Sequence, residues 1–222
     1  MSLCLLSRLL SVVVRIVPST DPGCVEEAAR LLRRGELVCY PTDTVYGIGA
    51  AAGDDAAVRR LFAVKGRPLD KPVPLLIADA ADATWLADVS PLARTLMGRF
   101  WPGGLTIVMR KAEEFRSLAL AGQKTVALRV PDHDLVREII RRLGGPITGT
   151  SANRAGAPPP LSAAEVALQM GDMVSLIVDG GRCRQGREST VVDITEDGPK
   201  ILRAGVVSRE EIEEALWRPV GA

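Results

Sequence analysis

The strongest constraint on this chain is a short apolar run stopped by a proline. Glu36 to Tyr40 has the length of a buried strand, and Pro41, with no N–H to give to a ladder, ends it. A polar loop follows, carrying Thr42, Asp43, Thr44 and Tyr46. In open α/β sheets ligands bind beyond the carboxyl ends of strands, which is where this loop would stand. Gly47 and Gly49 are expected to let backbone come close to such a ligand. The same stretch alone also fits a turn between two core strands, so its meaning depends on the rest of the chain.

The remaining pattern mixes strands and helices. Val25, Ala28, Ala29 and Leu32 recur at helical spacing after Thr20-Asp21-Pro22-Gly23, until Gly35. Asp54 or Asp55 caps a second helix carrying Val58, Leu61 and Phe62, which runs out at Lys65-Gly66-Arg67-Pro68. Val73 to Ala78 reads as a strand, Ala80 to Ala87 and Leu92 to Phe100 as helical, and Leu105 to Met109 and Thr125 to Val130 as strands. Asp132 is placed to cap a helix with Leu135, Val136, Ile139, Ile140 and Leu143 on one face. Further strands are expected at Pro146 to Gly149, Val174 to Val178, Ser189 to Ile194 and Lys200 to Arg203, and Ser162 with Glu165 and Ser208 with Glu211 form capping boxes. Strict βαβ alternation is lacking, so the expected class is α/β with a mixed sheet flanked by helices.

The 222 residues suit one domain, taken as 12–218, with 47% hydrophobic residues to supply its core. The start is apolar, but Arg8 and Arg15 interrupt it and no signal-cleavage pattern follows. Residues 1–11 therefore read as an N-terminal extension leading into a first strand near Val12 to Val17, with a weak peripheral anchor as the alternative; no membrane partner is expected. The 28 basic residues are balanced by 27 acidic ones, so any role for charge must be local rather than a coat for nucleic acid or lipid. Cys4, Cys24, Cys39 and Cys183 are scattered and accompanied by one histidine, which indicates neither a zinc site nor a disulfide framework and fits the cytoplasm.

Polar residues at the ends of the apolar runs carry the functional signal. Lys65, Arg67, Arg110, Arg129 and Arg203, with Thr42, Thr106, Ser151, Asn153 and Ser189, suit a polyanion such as a triphosphate. Arg129 lies so near a strand centre that it demands a partner. No GxxxxGK[ST] loop occurs, and Gly47, Gly49 and Gly53 do not make a dinucleotide fingerprint. His133 is the single histidine, so general-base chemistry is expected to be minor. Positioning and charge stabilisation point instead to nucleotidyl transfer.

Seven ordered motifs then carry a resemblance. YPTDTVYG at Tyr40–Gly47, KGRP at Lys65–Pro68, WPGGLT at Trp101–Thr106, ALRVPDH at Ala127–His133, TSAN at Thr150–Asn153, EST at Glu188–Thr190 and LRAG at Leu202–Gly205 resemble the YrdC/Sua5 family. The resemblance implies a twisted open sheet with a large positively charged concavity, and a threonylcarbamoyl-AMP synthase using ATP, L-threonine and bicarbonate, with Mg2+ accompanying the ATP. Thr42, Arg110 and Arg129 would then hold threonine. Lys65, Arg67, Ser151 and Asn153 would surround the phosphates and the carboxylated amine, and Thr106, Ser189 and Arg203 would contact the nucleotide. A downstream tRNA threonylcarbamoyl-transferase complex is implied as partner, with weak tRNA binding. Pro158-Pro159-Pro160-Leu161 replaces the family's serine-containing PSPT, which removes one hydroxyl. With its end at Ala222, the chain resembles the short single-domain form. Two other readings are a YciO-like paralogue acting as an RNA-binding or ribosome-associated factor, and a carbamoyl-transfer domain like that of hydrogenase maturation factors. The complete KxR and SxN motifs favour the synthase, and the scarcity of cysteines disfavours the maturation factor.

Overall fold

The computed structural model describes residues 14–196, 198–217 and 220–221. The expected extension at residues 1–11, the start of the expected first strand and the end of the expected domain at 218 lie outside the described residues. In chain order the elements are β1 (Ile16–Pro18), α1 (Cys24–Arg33), β2 (Val38–Tyr40), β3 (Gly47–Gly49), α2 (Asp55–Lys65), β4 (Leu75–Leu76), α3 (Ala83–Leu86), α4 (Pro91–Phe100) and β5 (Leu105–Arg110). They continue with β6 (Thr125–Arg129), α5 (Asp134–Leu143), β7 (Ile147–Thr148), β8 (Thr150–Ser151), α6 (Ala163–Met170), β9 (Leu176–Asp179), β10 (Thr190–Asp193), β11 (Lys200–Arg203) and α7 (Arg209–Leu216).

The fold is mixed α/β with open sheets flanked by helices, and the strands divide between two sheets. The first has the order β1-β9-β2-β3-β8 and the second β11-β10-β5-β6-β4-β7. Parallel and antiparallel pairs occur in both. The sheets are joined where the chain passes from β7 to β8 through Gly149. Thr148 fixes that junction: its N–H donates to the Ala50 carbonyl at 2.9 Å, its Oγ1 accepts from Ala50 N–H at 2.9 Å, and its carbonyl accepts from the Tyr40 hydroxyl at 2.8 Å.

The two sheets bury their faces differently. In the first, Val38, Tyr40, Leu176 and Val178 pack under α1 and α5, whereas Cys39, Ile48 and Ile177 pack against α2 and α6. Both faces are covered, which is why its strands read as continuous apolar runs. The second sheet alternates. Leu105, Ile107, Met109, Val126, Leu128 and Val192 enter a core closed by α3, α4 and α7, while Thr106, Val108, Ala127, Arg129 and Val191 line an open cavity. Apolar side chains at every second position cover one face, and the other borders the cavity.

Local chemistry sets the element ends. Asp54 caps α2 by accepting from the Ala56 and Ala57 N–H groups, and Gly66 closes it in the left-handed conformation at φ 57°. Ser208 and Glu211 form the expected capping box of α7. Three details depart from expectation. The strand expected over Val73 to Ala78 is confined to Leu75–Leu76, because Pro72 and Pro74 have no N–H for a ladder. The N-cap of α5 is His133, one residue after the expected Asp132. Gly47 and Gly49 make room for an internal ring: a Cβ on either would stand 2.7 Å from a carbon of the Tyr40 ring, which lies across this strand from β2. Among the described residues no helix is long and apolar enough to cross a membrane.

Gly47→Ala is expected to destabilise the protein by ~1–3 kcal/mol, because the buried Tyr40 ring cannot retreat. At Gly53 an added Cβ meets no described atom within 4 Å. Gly53→Ala is therefore expected to be neutral or stabilising by up to ~1 kcal/mol. Urea unfolding of the two variants measures the contrast, and equal effects would contradict it.

Candidate active site

Between the sheets lies a cavity of about 340 Å³, within the range of small-molecule sites. One wall is the loop after β2. Thr42 lines it, but its Oγ1 donates to the Val45 carbonyl at 2.6 Å, accepts from the Thr44 and Val45 N–H groups at 3.1 and 3.2 Å, and lies 2.9 Å from Thr44 Oγ1. The hydroxyl is committed to folding its own turn. A ligand reaching Thr42 would meet a residue whose first task is shaping the loop.

Beneath that wall is a buried ion pair. Arg129, 6% exposed at the end of β6, donates from Nη2 to Asp43 Oδ1 at 2.6 Å, from Nη1 to Thr44 Oγ1 at 2.9 Å and from Nε to the Gly103 carbonyl at 2.8 Å. Asp43 Oδ1 also accepts from the Asp132 N–H at 3.2 Å. Burial pulls the Arg129 pKa down, and the Asp43 carboxylate opposes that shift. Arg129 still borders the cavity with two of its five N–H groups unaccounted for by these bonds.

A third wall gathers Thr106, Ser189 and Arg203, the three residues expected to contact nucleotide. Thr106 Oγ1 and Ser189 Oγ are 2.9 Å apart, and Arg203 Nη2 donates to the Ser189 carbonyl at 2.9 Å and its Oγ at 3.1 Å. Arg203 also pairs with Glu188 at 3.1 Å. Parallel pairing of β10 with β5 sets Val191 opposite Thr106 and so brings the Ser189 end of the strand to this wall.

The fourth wall holds Arg67 and Ser151, with Lys65 and Asn153 directly behind. Lys65, the last residue of α2, donates from Nζ to the Ser151 carbonyl at 2.7 Å, to the Asn153 carbonyl and to Asn153 Oδ1 at 3.1 Å. Ser151 Oγ donates to Asn153 Oδ1 at 2.6 Å. Burial pushes the Lys65 ammonium down to about 8, against the raising effect of Glu188. Arg67 is held by the carbonyls of Lys71 and Pro72. Among the described residues neither Lys65 nor Arg67 has a carboxylate within salt-bridge reach.

Nine of the ten residues singled out in the sequence thus gather around one cavity. Arg110 does not. It is exposed at the far end of β5, opposite Thr125, and its Nη2 reaches toward the Thr195 carbonyl at 3.4 Å. On a strand rising ~3.3 Å per residue, four residues separate it from Thr106. Arg110 is thus not among the residues lining the cavity. The sequence reading noted Asp43 only as a polar group of its loop and Glu188 only within the EST motif, and gave neither a partner. Asp43 could have been found as the partner that buried Arg129 demands, since its loop offers a carboxylate. Nothing in the sequence marked Glu188 beyond its place before Ser189.

Two open mixed sheets with a cation-bearing cavity between them define a mixed α/β protein. The Sua5/YciO/YrdC family profile, described as "Telomere recombination", matches residues 30–205. A Bacillus subtilis (strain 168) protein named threonylcarbamoyl-AMP synthase is 42% identical over 200 residues, covering 89% of this chain and 58% of the relative. The crystal structure of Pyrococcus abyssi Sua5 complexed with L-threonine matches with a TM-score of 0.88 at 40% identity, covering 94% of this chain and 62% of that one. The crystal structure of E. coli YciO matches with a TM-score of 0.80 at 26% identity, covering 89% and 98%. The chain spans less than two thirds of the length of the first two proteins. It belongs to the Sua5/YciO/YrdC family.

Removing Asp43 would leave the Arg129 guanidinium buried without a counter-charge. Asp43→Ala is expected to destabilise the protein by about 3–5 kcal/mol. Asp43→Leu combined with Arg129→Met is expected to cost less than the sum of the two single changes. Guanidinium unfolding of the four variants reports both, and additive effects would show that the pair is not coupled.

Proposed function

We propose that the protein makes L-threonylcarbamoyladenylate and pyrophosphate from L-threonine, bicarbonate and ATP. The observation that carries this reading is the pair Lys65 and Arg67, cations without carboxylate partners among the described residues, set against the hydroxyls of Ser151, Ser189 and Thr106. Relatives named threonylcarbamoyl-AMP synthase at about 40% identity support the same chemistry. The weaker identity to E. coli YciO, 26%, gives the RNA-binding alternative less support.

In this reading the triphosphate lies along Arg67, Ser151 and the Ser189–Arg203 wall. The apolar patch of Val108, Val191 and Leu202 provides a surface for the base. Arg129 presents its remaining N–H groups to the threonine carboxylate. The neutral amine attacks bicarbonate to form the carbamate with loss of water; a carbamate oxygen then attacks the α-phosphorus, and pyrophosphate leaves. Proximity supplies much of the rate, and fixed cations oppose the charge that builds on the phosphates.

Mg2+ fits as an ion that arrives on ATP. Among the described residues no group of three His, Cys, Asp or Glu side chains could hold a metal, and Glu188 is the single carboxylate in the cavity wall. Bound to the phosphate oxygens, the ion would neutralise charge and orient the leaving group. The product is a mixed anhydride, so a tRNA threonylcarbamoyl-transferase complex is the proposed consumer, with direct tRNA contact weak at best. The buried free thiols of Cys24, Cys39 and Cys183 suit a reducing cytoplasm.

Pyrophosphate release from Mg-ATP and bicarbonate should depend on L-threonine and be poorly supported by serine; a folded protein that releases none would refute the reading. Arg67→Ala is expected to lower turnover by about a hundredfold or more, because it removes a cation facing the phosphates. The Lys65 ammonium, charged below about 8 and neutral above, gives the sign of the pH effect. The kcat/KM for ATP should fall as pH rises through that value, and a profile flat to pH 10 would exclude the Lys65 charge from ATP capture.

A further inference from the structure

We propose that Glu188 receives the ammonium group of the amino-acid substrate and thereby makes the cavity select an α-amino acid; the inference rests on the synthase reading above. Free threonine is a zwitterion. Its carboxylate has cations to choose from, whereas its ammonium needs an anion. The charged side chains lining the cavity are Arg67, Arg129, Arg203 and Glu188, so Glu188 is the one carboxylate in that wall among the described residues. Asp43, the nearest alternative, is fully buried behind Arg129 and already bonded to it.

Glu188 is also prepared for a second partner. Its Oε1 meets Arg203 Nη1 at 3.1 Å, its side chain is 34% exposed, and Oε2 has no partner among the described residues. A carboxylate can accept several hydrogen bonds, so the Arg203 contact does not exhaust it. Its backbone is held in place from behind: the Val206 N–H donates to the Glu188 carbonyl at 3.1 Å, and a Cβ on Gly205 would stand only 2.4 Å from that oxygen. Glu188 favours the charged form of Lys65, and it lines the same cavity as Ser151 and Arg203. A site for triphosphate alone gains nothing from a carboxylate there, because like charges repel. A cationic group of the second substrate accounts for it.

A competing role is that Glu188 only holds Arg203. Glu188→Gln separates the two, because the amide oxygen can still accept from Arg203 but carries no charge. Calorimetric titration of wild type and Glu188→Gln with L-threonine, with its deaminated analogue 2,3-dihydroxybutanoate and with ATP is the test. The expected result is threonine affinity weakened about tenfold or more in the variant, unchanged affinity for the deaminated analogue, and ATP bound as tightly as by wild type or more so. Unchanged threonine affinity, or equal weakening of threonine and the analogue, would overturn the role of Glu188. If wild type itself bound no threonine, the synthase reading would fall and this inference with it, an outcome visible before the variant is made.

Discussion

The buried pair of Asp43 and Arg129 is the contact on which the site depends. Taking either charge out of water costs several kcal/mol, so neither could occupy its place without the other. Asp43 belongs to the loop leaving the first sheet, and Arg129 ends a strand of the second. The bonds they share with Thr44, Gly103 and Asp132 therefore tie the two sheets together at the floor of the cavity. At the other junction the chain itself crosses between sheets, and Gly149 lets it pass close to Leu76, where a Cβ would stand 2.8 Å from the leucine side chain. An ion pair on one side and a covalent crossing on the other hold the gap open.

The second sheet gives the gap its chemistry. Its core-facing residues are mostly apolar, with the Thr190 hydroxyl taken up by the Val207 backbone, its cavity-facing residues are mixed, and the strand period of two keeps the sets apart. A register slip of one residue would send Arg129 into the core and Leu128 into the cavity. The parallel pairing of β10 with β5 and the antiparallel pairing of β5 with β6 leave no such freedom. Positioning of the site and packing of the core are one constraint.

Much of this was legible in the residues. Proline after an apolar run marked the loop beside the cavity, and capping residues marked α2 and α7. Of the ten polar exceptions singled out at the ends of apolar runs, nine stand around the cavity. What the sequence left hidden has physical reasons. Arg110 is a cation at the end of β5, but it stands at the end away from the cavity, and direction along a strand is fixed by pairing that sequence alone does not reveal. Gly47 and Gly49 signalled close approach correctly, yet the group that approaches is Tyr40 from the neighbouring strand. The division into two sheets was hidden because β7 and β8 are two residues each, too short for a periodic signal.

The near-neutral chain also shows how a local field can be made without a net charge. Arg129 is matched by Asp43 and Arg203 by Glu188, which leaves the unmatched charge at Lys65 and Arg67. Lys65 lies at the carboxyl end of α2, where the helix dipole and three oxygen acceptors favour the ammonium while burial opposes it. Burial is the larger effect. A polyanion in the cavity would supply the counter-charge that lost water no longer provides, and would draw the Lys65 pKa back toward its ordinary value. Linkage then requires that anion binding above pH 8 be accompanied by proton uptake, and that protonation of Lys65 strengthen anion binding by the same factor.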